Sequence, residues 1–89
     1  MEEKLFKAAS DGEESELKEI LRNNRGVSVN WRAVKDRYYA ALHRACVGGH
    51  GSIVSILLAH PGIDINQKDV HGATPFIEAC FFGHSSCIF

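Results

Sequence analysis

With 89 residues, 45% of them hydrophobic and 24% charged, the chain is long enough for one small domain and too short for two. Its formal net charge of −1 gives no overall pull toward nucleic acid or an anionic membrane. Its longest apolar stretch, SIVSILLA, is far too short to span a bilayer, and three cysteines form no even disulfide framework.

In chain order, the first segment, MEEKLFKAAS, lacks the apolar run of a signal peptide, so the expected compartment is reducing, cytoplasmic or nuclear rather than secretory. Leu5, Ala8 and Ala9 recur at helical spacing, Asp11-Gly12 breaks the run, and Leu17, Ile20 and Leu21 start a second helical stripe. A segment rich in turn formers follows, NNRGVSVNWRAVKDRYY. Leu42, Ala45 and Cys46 then predict another helix, ended by Gly48-Gly49, and Val54, Leu57 and Leu58 predict its partner. In HPGIDINQKDVHGA, Ile63 and Ile65 alternate with polar residues before Asp69 and Gly72 signal a turn, the pattern of a hairpin-like loop. Thr74 is placed to cap a last helix through its hydroxyl, and Pro75 falls at the first helical position, which tolerates its missing N–H.

These segments are near-copies. A shift of 34 residues lays AALHRACVGGHGSIVS (40–55) over TPFIEACFFGHSSCIF (74–89) and pairs Ala45 with Ala79, Cys46 with Cys80, Gly49 with Gly83, His50 with His84 and Ser52 with Ser86. A fainter copy lies 37 residues upstream, where Leu5, Ala8 and Gly12 match Leu42, Ala45 and Gly49. Self-similarity at this period marks a solenoid, in which no unit buries its apolar face alone. The residues GATPFIEACFFGH and AALHRACVGGH…IVSILLAHPGIDIN resemble the ankyrin repeat and its T-P-L-H-x-A signature. The fold expected is therefore all-α: a short ankyrin-type solenoid of helix-turn-helix units with β-hairpin-like loops. One domain, 1–89, holds about two and a half repeats (roughly 1–33, 34–68 and a truncated 69–89).

Three departures from the family pattern carry expectations. The signature is split, with Ala40-Ala41 in place of Thr-Pro before His43, and Phe76-Ile77 in place of Leu-His after Pro75. Each first helix should then be less rigid at its start, by about 1 kcal/mol for a lost cap. Tyr38 stands where the later copy has Gly72, and because tyrosine resists positive φ that turn should take another shape. Finally, Phe76, Phe81, Phe82, Ile88 and Phe89 lack a following unit to cover them, which predicts marginal stability, self-association through this end, or a fragment of a longer array.

The resemblance implies a non-catalytic module that binds another protein through its loop tips and the inner face of its first helices. The first loop offers Trp31, Arg32, Lys35, Arg37, Tyr38 and Tyr39, and the second Gln67, Lys68, Asp69, Val70 and His71, including the types that dominate binding hot spots. Interleaved bases and aromatics also suggest single-stranded nucleic acid, but so few cations and no RNA-binding motif argue against it. The main alternative is metal binding by His43, Cys46, Cys80, His84 and Cys87, because zinc accepts nitrogen and sulfur at such spacings. Repetition of structural roles accounts for these residues more simply. His43 matches the signature histidine, which the resemblance assigns to tying neighbouring loops together, and Cys46 and Cys80 fall at small apolar positions of the first helices. No phosphate loop, G-x-S-x-G or H-E-x-x-H pattern is present, and no cofactor or catalytic group is expected.

Overall fold

The computed structural model describes residues 1–83. Five helices appear: α1 (Glu2–Asp11), α2 (Glu14–Asn23), α3 (Ala41–Val47), α4 (Gly51–Leu58) and α5 (Pro75–Phe81). Two short strands, β1 (Arg32–Ala33) and β2 (Tyr39–Ala40), pair antiparallel with Arg32 opposite Ala40 and Ala33 opposite Tyr39.

Each helix buries one stripe. α1 turns Leu5, Ala8 and Ala9 inward and carries Glu2 and Glu3 in its first turn, where acidic groups oppose the helix dipole. α2 buries Leu17 and Ile20 and holds a Glu14–Lys18 pair at 3.1 Å on its outer surface. α3 packs against α1 on one side and α5 on the other, while α4 covers α3 and touches α2. The result is an inner row, α1-α3-α5, backed by an outer row, α2-α4. Alanines 8, 9, 45 and 79, all nearly or fully buried, let the inner helices approach closely. Leu5, Leu17, Leu42, Ile53 and Leu57 fill the space between the rows. Each contributes roughly 1.5–3 kcal/mol by leaving water.

The turns of the two described helix pairs are each built on a left-handed glycine, Gly12 and Gly49, with φ of 74° and 70°; Gly83, just after α5, has φ 73°. After the first two, the next amide reaches back to close the helix, Glu13 N to Ala8 O and His50 N to Ala45 O, both at 2.9 Å. At Gly12 a Cβ would also fall 2.8 Å from the His50 ring, so this site needs glycine for space as well as for backbone conformation.

The structure corrects several expectations. Tyr38 does not avoid the left-handed region. It takes φ 61°, close to the 80° of Gly72, and Arg37 beside it takes 57°. Contacts hold this strained pair: Tyr38 N donates to Ala33 O at 3.1 Å, Arg32 Nε donates to Tyr38 O at 3.4 Å, and Val70 N donates to Arg37 O at 2.8 Å. Ile63 and Ile65 form no strand; Ile63 packs against the core and Ile65, in a turn, is exposed. Phe76 is not left uncovered, since it packs against the core beside α3. Cys80, expected on the packed side of its helix, is exposed. Phe81 is 83% and Phe82 46% exposed, as anticipated; Ile88 and Phe89 lie outside the described residues.

Candidate functional site

The loops leading into α3 and α5 project from the inner row as two fingers, and their framework comes from a few side chains. Asn30 ties them together. Its Nδ2 donates to Gly62 O at 2.7 Å, its Oδ1 accepts from Asp64 N at 2.8 Å, and its carbonyl accepts from Gln67 Nε2 at 2.8 Å. His43 forms the second tie. Its Nδ1 accepts from Ala40 N at 3.2 Å, which places the ring proton on Nε2, 3.0 Å from the Ala73 carbonyl it donates to. The imidazole thus partly replaces the cap that Ala40 cannot supply and anchors the start of the next finger. Burial holds its pKa below the usual histidine value. The second finger closes on Asp69, whose Oδ1 accepts from His71 N at 2.8 Å and Ala73 N at 3.0 Å.

Three of the residues expected to face a partner are turned inward instead. Tyr39 is buried and stacks on the His43 ring, with centroids 5.2 Å apart and planes 11° from parallel. Gln67 is buried on its bond to Asn30, and Asp69 is buried within its own turn. Alternation along a loop does not reveal which polar side chain closes the loop and which leaves it. The turn-forming habit of aspartate was the available signal for Asp69. Trp31 is half-buried against Phe6, ring edge to face at 5.8 Å. Arg32 is also half-buried, with its guanidinium 5.0 Å from the centre of the Tyr38 ring. Lys35, Arg37, Tyr38, Lys68 and His71 are exposed.

Sequence reasoning overlooked Val34, which stands at a fingertip with 67% of its surface open to solvent; Val70, expected on the second finger, is 57% exposed. Val34 fits no helical stripe, and that misfit was the signal that could have exposed it. Two hollows flank the fingers. One of about 460 Å³ lies between α1 and the first finger, lined by Glu3, Trp31, Arg32, Ala33, Val34, Lys35 and Asp36. Another of about 310 Å³ lies between the fingertips and α5, lined by Arg37, His71, Ala73, Ile77, Glu78, Phe81 and Phe82.

Beside the second hollow, two carboxyls stand close together. Burial raises the Glu78 pKa, and the neighbouring Asp69 carboxylate raises it further. Burial pushes Asp69 up as well, but bonds from the Ala73 amide, the Glu78 carboxyl and the His71 amide outweigh it and leave Asp69 below the usual range. As for metal, His43 has both ring nitrogens engaged and Cys46 sits in the core. Among the described residues no three potential ligands gather; His84 and Cys87 lie outside them.

Stacked helix pairs whose exposed chemistry sits on projecting loops define a helical repeat protein of the kind that generally binds other proteins. A family model of three ankyrin repeats matches residues 5–89, and the chain belongs to the ankyrin-repeat family. The ankyrin repeat domain of human ASB11 has a similar solved structure, with a TM-score of 0.81 and 37% identity over 94% of this chain and 36% of that one. Among curated proteins, the Bos taurus SMC5-SMC6 complex localization factor protein 1 is 39% identical over 85 residues, which is 96% of this chain and 8% of the relative. Its Mus musculus counterpart is 50% identical over 60 residues, 67% of this chain and 6% of the relative. The Oryza sativa probable E3 ubiquitin-protein ligase XBOS32 is 35% identical over 92% of this chain and 16% of its own length. The chain therefore spans only a small part of the curated relatives it matches. No helix among the described residues is long and apolar enough to cross a membrane.

Proposed function

We propose that the chain is a non-catalytic protein-binding module acting in the cytoplasm or nucleus, with three units divided near residues 33 and 68. Its partner contacts are Trp31, Arg32, Val34, Lys35, Arg37, Tyr38, Lys68, Val70 and His71. The observation that carries this reading is the exposure of Val34, Tyr38 and Val70 on loops that Asn30 and His43 hold in place. Apolar side chains presented on an ordered frame lose little entropy on binding, the economy that favours hot spots. Because relatives include localization factors for the SMC5-SMC6 complex, components of that complex are the first partners to try. The test is affinity capture with a Val34→Ala/Tyr38→Ala/Val70→Ala variant: partner recovery should fall severalfold while far-ultraviolet circular dichroism stays unchanged. Undiminished recovery would overturn the assignment.

The exposed Phe81 and Phe82, packed edge to face at 5.4 Å, support self-association through the surface of α5 and the residue after it. Sedimentation of a Phe81→Ser/Phe82→Ser variant should show less concentration-dependent assembly than the parent chain, and equal assembly would refute that role.

A further inference from the structure

The two fingers treat their charges in opposite ways. Of the carboxylates, Asp69 is only 6% exposed and holds two amides of its own turn, while Asp36, its side chain 42% exposed, approaches Arg44 at 3.9 Å. The cations are directed outward. Lys35 and Lys68 are exposed and join no ion pair among the described residues, and Arg32 spends one N–H on the Tyr38 carbonyl while its planar face rests on the Tyr38 ring. Each finger also carries a base and an exposed valine two residues apart, Arg32 with Val34 and Lys68 with Val70. Beside them the hollow of about 460 Å³ walled by Trp31, Ala33 and Val34 falls in the size range of ligand clefts, about 300–1,000 Å³.

We infer that this rim docks an acidic segment of the partner protein in which carboxylates alternate with bulky apolar side chains. The carboxylates meet Arg32, Lys35 and Lys68, and the apolar groups rest on Val34, Val70 and the hollow beside Trp31. The inference rests on the protein-binding reading above and names the chemistry of its partner. A nucleic-acid strand fits less well. It carries a charge at every nucleotide, roughly one per 3.4 Å, and would bring phosphates against Glu3 and Asp36 in the hollow, where the peptide places apolar side chains instead. Spaced carboxylates match spaced cations, and the valines between those cations offer phosphates nothing.

The test is fluorescence anisotropy with three short labelled probes: a peptide alternating glutamate and leucine, the same peptide with lysine for glutamate, and oligo(dT). The glutamate peptide should bind best and weaken on the order of tenfold from low to high salt. A Lys35→Glu/Lys68→Glu variant should lose at least about tenfold in affinity for it, because repulsion replaces attraction at both fingers. Both lysines are exposed and outside the framework, so the variant's helicity should match the parent's. Tighter binding of oligo(dT) or of the lysine peptide, no binding of the glutamate peptide, or an unaffected double variant would each overturn the inference. If that happens while the triple fingertip variant still loses its captured partner, the module stands and only the acidic chemistry fails.

Discussion

At the residue scale, His43 does more than its place in a motif requires. One imidazole caps α3 and holds the second finger, and it does so without exposure to water. His43→Ala should cost about 2–4 kcal/mol, the sum of a cavity and two lost hydrogen bonds, measured by urea denaturation at neutral pH. The same side chain sets a pH response. Its folded pKa lies below the unfolded value of about 6.5, so the folded chain takes up a proton less readily than the unfolded one. Its contribution is complete above that value and is lost as the pH falls through the folded pKa. His43→Gln should be less stable than the parent at pH 7 but lose less of its melting temperature on acidification. Glu78 works in the opposite sense. Its raised pKa makes ionisation costly, so the stability it supports is present below its unfolded pKa and lost as pH rises through the folded one. Glu78→Gln should raise the neutral melting temperature by a few degrees and show no such gain in acid. Tyr38 gives a further measure of strain: Tyr38→Val should be about 1–2 kcal/mol less stable than Tyr38→Gly, since a β-branched residue resists φ near 61° and glycine does not.

At the scale of the elements, the sequence was most informative where geometry is periodic. Leu5, Ala8 and Ala9, then Leu17 and Ile20, announced α1 and α2 by spacing alone, and Gly12 and Gly49 announced the turns between paired helices. Thr74 caps α5 as its type suggested, its Oγ1 accepting from Ile77 N at 3.3 Å; Thr74→Ala should cost about 1 kcal/mol in thermal or chemical unfolding. The fingers were less legible. Their shape depends on contacts between residues more than thirty positions apart, such as Asn30 with Asp64, and a local pattern carries no record of them. That is why Tyr39, Gln67 and Asp69 read as surface residues while Val34 went unnoticed, and why Tyr38 was expected to bend away from a conformation its neighbours impose. Gly12 joins the legible and the hidden: its turn was evident from sequence, but the His50 ring lying over it was not. Gly12→Ala should therefore destabilise by about 2 kcal/mol or more, beyond the penalty for φ alone.

For the whole molecule, α3 is the keystone of the inner row, since α1, α4 and α5 all pack on it. Leu42, completely buried there, should cost about 3 kcal/mol on replacement by alanine, and the loss should lower a single melting transition followed at both ends of the chain. The bridge from Asn30 to Gly62, Asp64 and Gln67 has a different effect. It makes the pair of projections behave as a comb with fixed tooth spacing. A ligand that settles on one tooth finds the next already at its proper distance, so a longer ligand spends no entropy in aligning them and one whose repeat differs from that spacing is refused by geometry before charge is consulted.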